Sequence, residues 1–168
     1  MIELFENLYR RLINVASSLQ SPFLLAVRLY WGWQLIQTGW GKLSDIDKVI
    51  NFFTTLGIPA PALNAYFVSA LEFGGGILLL LGLGSRLIAV PLVVNMLVAY
   101  VTADREALLS IFSSPDKFTG AAPYTFLFAS LLVLVFGPGW FSVDAFLESR
   151  RTGKSIGRPV ERPSGVIA

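Results

Sequence analysis

The 168-residue chain contains no cysteine and no histidine. Without cysteine there are no disulfides, thiolate clusters, CxxC redox pairs or Cys–zinc sites. Without histidine the commonest haem, zinc and copper ligand is missing, and so is the usual general base. Charge is scarce as well: 14% of the residues are charged, against roughly 25% in soluble domains. The formal net charge is only +2. A basic face able to hold nucleic-acid phosphates is therefore not expected.

Apolar residues are abundant. Hydrophobic residues make up 54% of the chain and the mean hydropathy is +0.65, which excludes a disordered chain. A membrane helix needs about 20 mostly apolar residues to cross a core of roughly 30 Å. Four stretches approach this: residues 22–39, 62–84, 86–103 and 121–141. The runs at 77–83 (ILLLLGL) and 125–137 (TFLFASLLVLVFG) lack the polar face that a soluble bundle would show. The fold class expected is an all-α membrane protein, a four-transmembrane-helix bundle in contact with the lipid bilayer.

Punctuation residues organise the chain. Gly82-Leu83-Gly84-Ser85-Arg86 makes a sharp reversal, so spans two and three form an antiparallel hairpin. Phe5, Leu8, Leu12, Ile13, Ala16 and Leu19 recur at helical spacing. They predict an amphipathic surface helix over residues 1–21 rather than a cleavable signal, with a water-exposed extension of helix one as the alternative. In the loop after span one, Val49, Ile50, Phe53 and Leu56 share a face, with Ser44 as the expected cap. This predicts a short interfacial helix. The four-helix domain then covers 22–147, and a basic tail covers 148–168, extended from Arg150 onward. Eight Lys/Arg residues lie on the side of the termini and the 82–86 turn, against Lys42, Lys48, Arg105 and Lys117 on the other side. The charge rule therefore puts both termini in the cytoplasm.

Arg28 and Glu72 stand inside apolar spans, where an ionised group costs a few kcal/mol. Counting inward from the cytoplasmic ends puts Arg28 about 9 Å deep, Asn95 about 13 Å and Glu72 about 16 Å. One buried cluster of Arg28, Glu72 and Asn95 is expected, with Trp31 as a wall. Gly32, Gly74, Gly75 and Gly76 are expected to let helices approach closely. The readings of the pair are a structural ion pair that fixes helix register, or a functional site: a polar pocket for the head group of a quinone-like or lipid ligand, such as a quinone carbonyl, or a proton-handling site. No catalytic residue and no metal site is expected, because no nucleophile–base constellation can be drawn. Gly74-Gly75-Gly76 lacks the lysine and serine of a phosphate loop.

Several segments carry a family likeness. They are Arg28, Gly39-Trp40-Gly41-Lys42-Leu43, Leu71-Glu72-Phe73-Gly74-Gly75-Gly76, the 80–89 turn region, and Gly137-Pro138-Gly139-Trp140-Phe141-Ser142-Val143-Asp144. In these the chain resembles the DoxX family of small four-helix membrane proteins, over roughly residues 22–147. The resemblance implies a bacterial or archaeal cytoplasmic membrane. It also implies a role as membrane subunit or accessory protein of a redox complex, linked in relatives to thiosulfate:quinone oxidoreduction. A quinone is the implied cofactor, and other membrane or cytoplasmic subunits are the implied partners. The chain is not expected to be an enzyme alone. A non-catalytic scaffold of a larger membrane complex and a small lipid or small-molecule transporter are the alternatives. No internal repeat supports the transporter.

Overall fold

The computed structural model describes residues 2–152. Its first helix, α1, runs unbroken over Ile2–Ser44. The surface helix expected over 1–21 is therefore the first half of α1 and not a separate element. Pro22 lies inside α1, where it removes one ladder bond, and the helix continues on both sides. Residues 5–20 are exposed all round. The bundle closes on α1 at Ser21, whose Oγ accepts a bond from the Trp140 backbone N–H (3.2 Å).

Helix α2 (Ile46–Thr55) fills the first long loop, as its apolar spacing predicts. Ser44 does not cap it. The Ser44 hydroxyl donates instead to the Trp40 carbonyl (2.9 Å), and Asp45 occupies the cap position. Helix α3 (Pro61–Leu81) ends in a glycine-terminated turn. The Leu83 N–H bonds the Leu78 carbonyl, the Gly82 N–H bonds the Leu79 carbonyl, and Gly82 takes φ +72°. That left-handed conformation carries a penalty for any residue with a Cβ. The chain then reverses into α4 (Ser85–Thr102).

Two short helices occupy the 104–120 region that reads as loop: α5 (Arg105–Leu109) and α6 (Pro115–Gly120). Helix α7 (Ala122–Phe136) is shorter than the 121–141 span expected. Gly137 at φ +80°, followed by Pro138 and Gly139, cannot continue a helix. The apolar Trp140 and Phe141 belong to the loop beyond. Helix α8 (Val143–Thr152) takes the first residues of the expected extended tail. The rest of that basic tail, 153–168, lies outside the described residues.

Helices α1, α3, α4 and α7 form the bundle, with α1 against α3, α3 against α4, and α4 against α7. Leu35, Leu79, Leu92, Met96 and Val133 make its buried centre. Helices α1, α3 and α4 are each long and apolar enough to cross a membrane. The shorter apolar α7 spans about 22 Å. The outward stripe Leu87, Val90, Val94, Val98 and Val101 of α4 is exposed. Such a face suits hydrocarbon, which is as apolar as the side chains themselves. The chain is an all-α membrane protein with no strand among the described residues.

Small residues set the register between α1 and α3. A Cβ on Gly76 would fall 2.8 Å from the Gly32 carbonyl oxygen and 2.8 Å from the Ile36 nitrogen. A Cβ on Gly39 would fall 2.7 Å from the Phe73 Cα. These are backbone contacts, so the helices would have to separate to admit a side chain. Gly75 meets the Leu92 side chain of α4. Gly74 differs from the expectation, since a Cβ there would meet nothing within 4 Å.

Candidate functional site

The register of α1 on α3 decides which polar groups meet. Gly39 lies beside Phe73 and Gly32 beside Gly76, so Arg28 comes level with Gly82. Glu72 is ten residues back along α3, about 15 Å away. Arg28 and Glu72 therefore do not pair, and the single cluster expected from depth counting is two clusters at opposite ends of the bundle. The counting fails because it starts the first span at Pro22, where α1 has no boundary.

The Arg28 cluster is a clamp. The guanidinium is 1% exposed. Its Nη1 donates to the Pro138 carbonyl and its Nη2 to the Phe141 carbonyl, each at 2.6 Å. The fork geometry of Arg suits two acceptors at once. Gly82 makes room, since a Cβ there would sit 2.9 Å from Arg28 Cζ and 2.6 Å from Ser142 Cβ. Asp144 completes the knot. Its two carboxylate oxygens accept the N–H groups of Gly84 (2.7 Å) and Ser85 (3.0 Å). A carboxylate there also complements the positive end of α4. The 137–144 loop thus ties α1, the 82–84 turn and α7 together. Two backbone carbonyls thus hold the ends of the Arg28 fork, while its buried Nε has no hydrogen-bond partner among the described residues.

The Glu72 cluster is different. The Glu72 residue is 4% exposed. Lys42 at the end of α1 donates to both of its oxygens, at 2.6 and 2.7 Å. Asn95 of α4 donates to Oε1 at 3.2 Å. The expected approach of Glu72 and Asn95 is observed. In the sequence Lys42 stands among the cations opposite the termini and in the 39–43 segment of the family likeness; in the structure it is the partner of Glu72. The signal for it is the lone cation closing the Gly39-Trp40-Gly41-Lys42 segment, level with Glu72 once the glycine register is known. Trp31 is elsewhere, edge-on to Tyr30 at a centroid distance of 4.7 Å, and it does not reach this cluster.

These three residues line a cavity of about 540 Å³. Its roof is α2, contributing Val49, Phe53 and Leu56 of the face read from the sequence; Ile50 of that face does not line it. Its walls include Val68, Met96 and Phe126. Lys48 stands at the rim, and its hydrogen bond to Asp45 holds its ammonium above the ordinary lysine range. The arrangement has the form of a small-molecule site: a mostly apolar chamber of a few hundred Å³ with a few convergent polar groups. Two donors remain available. Lys42 has three N–H bonds and its described bonds use two; the Asn95 amide has two and uses one. Glu72, acceptor-only when ionised, holds both donors in place. Among the described residues no group of three acidic, His or Cys side chains could hold a metal.

Comparisons with known proteins agree with this architecture. The chain is 32% identical to the uncharacterized membrane protein Rv3486 of Mycobacterium tuberculosis, over 78% of this chain and 85% of the relative. It is 26% identical to a Bacillus subtilis protein named "Putative oxidoreductase CatD", over 73% of this chain and 85% of that one. No solved structure matches it. The DoxX family model matches residues 23–105. That segment holds Arg28, Lys42, Glu72 and Asn95, the glycine contacts of α1 with α3, and the hairpin turn; together these place the chain in the DoxX family of membrane proteins.

Proposed function

We propose that this protein binds a lipid-soluble carbonyl compound of the quinone class in the Glu72 cavity and acts as the membrane subunit of an oxidoreductase system. The carrying observation is the cavity floor. Lys42 and Asn95 each keep an N–H for a ligand carbonyl, under apolar walls that suit a ring and its substituents. A quinone, when bound, supplies two-electron chemistry. The chain's own part is to bind it, orient it through two donors, and hold Lys42 in place against Glu72. The name of the Bacillus relative supports a redox setting. With no cysteine or histidine in the chain, electrons reach such a site from a partner subunit. In this reading both termini lie in the cytoplasm.

The test is binding of decylubiquinone to the full chain in nanodiscs. Saturable binding is expected, with Kd raised at least tenfold in Lys42→Met, since a charge-assisted hydrogen bond contributes about 1.5–3 kcal/mol. Absence of saturable binding, or an unchanged Kd in Lys42→Met, refutes the reading.

A further inference from the structure

We infer that the ligand of this cavity arrives sideways from within the bilayer, through an opening between α3 and α4, and carries a long apolar tail that stays in that opening. This rests on the reading of the cavity as a ligand site. The register of α3 on α4 is set by the Glu72–Asn95 hydrogen bond and by Gly75 against Leu92. It brings Val68 level with Ala99 and Asn64 level with Ala103. All four line the cavity. The chamber is thus bordered by the facing sides of α3 and α4 beyond Glu72, under α2.

The chamber has an outer edge. Val98 lines the cavity, yet it is 50% exposed. It follows Val90 and Val94 at four-residue spacing on the outward face of α4, opposite the buried Ala89, Leu92, Met96 and Tyr100. One residue therefore belongs to both the chamber wall and the lipid-facing stripe, so the two surfaces meet at Val98. Above, the apolar face of α2 covers the chamber. The polar end of a ligand is satisfied at Lys42 and Asn95. An apolar chain leading away from that point reaches hydrocarbon past Val98 without crossing water. A compact polar molecule gains nothing from such an edge. A prenylated or acylated molecule keeps its tail in lipid while its head is bound.

The experiment compares a tailed and a tail-less probe, decylubiquinone and 2,3-dimethoxy-5-methyl-1,4-benzoquinone, on the full chain in nanodiscs. Val98→Trp narrows the opening from outside the polar floor. Val90→Trp, on the same stripe and equally exposed (49%), is the control because it does not line the cavity. The expected result is a Kd for decylubiquinone raised at least tenfold in Val98→Trp, with the tail-less probe unchanged and Val90→Trp like the unsubstituted protein. Unchanged decylubiquinone binding in Val98→Trp overturns the lateral opening and leaves the quinone reading standing, with access past the rim at Lys48 and Asp104. Equal loss of both probes in Val98→Trp overturns tail selection. No binding of either probe to the unsubstituted protein refutes the quinone reading, and the opening with it.

Discussion

Replacing Lys42 by Met isolates the energetics of the buried ion pair. In the intact protein Glu72 receives two charge-assisted bonds from Lys42 and one longer bond from Asn95. The Glu72 side chain is 5% exposed, while that of Lys42 is 37% exposed. The two partners therefore respond differently to losing each other. Lys42 can turn toward solvent or head groups, so Glu72→Gln has a mild effect of about 1 kcal/mol. Glu72 has nowhere to turn. Lys42→Met leaves a buried carboxylate with only an amide donor, and breaking a buried pair in this way costs 3–5 kcal/mol in soluble proteins. The partial exposure of Lys42 puts the expected value at the low end, about 3 kcal/mol. At about 2–4 °C per kcal/mol for a chain of this size, the melting temperature in detergent falls by about 6–12 °C. The double variant Lys42→Met, Glu72→Met removes both charges and should recover most of that loss, because apolar replacement of a whole buried pair is often neutral or better. Thermal unfolding of the parent, Lys42→Met, Glu72→Met and the double variant makes a double-mutant cycle. A Lys42→Met protein within ~0.5 kcal/mol of the parent, or a double variant that costs the sum of the singles, refutes the assigned pairing.

Further outcomes follow from the other contacts. Gly76→Ala should cost about 1–3 kcal/mol, because the new methyl meets the α1 backbone. Gly74→Ala, facing open space, should be neutral or stabilising by about 0.5–1 kcal/mol; the two melting curves side by side check the register. Arg28→Met should lower the melting temperature yet leave the Kd for decylubiquinone unchanged, and a raised Kd would return Arg28 to the ligand site. Asp144→Ala uncaps α4 and should cost about 0.5–2 kcal/mol, seen as earlier protease cleavage near the 82–84 turn.

The spans were legible because hydropathy and helix length are properties of consecutive residues. The α3–α4 turn was legible for the same reason, as Gly82 and Gly84 supply the positive φ that the reversal needs. The apolar face of α2 was legible as well. The site was only half legible. Glu72 and Asn95 lie on neighbouring spans joined by a two-glycine turn, so counting back from the turn pairs them correctly. Arg28 lies on α1, which a long connection separates from α3. Its level depends on where Gly32 and Gly39 settle, a contact between helices that no single stretch of sequence encodes. The same register hid Lys42. The end of α7 was missed because Trp140 and Phe141 look like membrane residues, although Gly137-Pro138-Gly139 already forbade a helix there.

The clamp around Arg28 has a consequence for how the molecule is made. Its acceptors, Pro138 and Phe141, lie 110 and 113 residues downstream of the arginine. A ribosome adding about 5–20 residues per second delivers them roughly 6–20 s after Arg28 has emerged. During that interval a full cation waits without its final partners while α3 and α4 are threaded. A loop synthesised more than a hundred residues later is the one that locks α1. A chain truncated before Pro138 would therefore present the insertion machinery with a bundle whose α1 is unlatched.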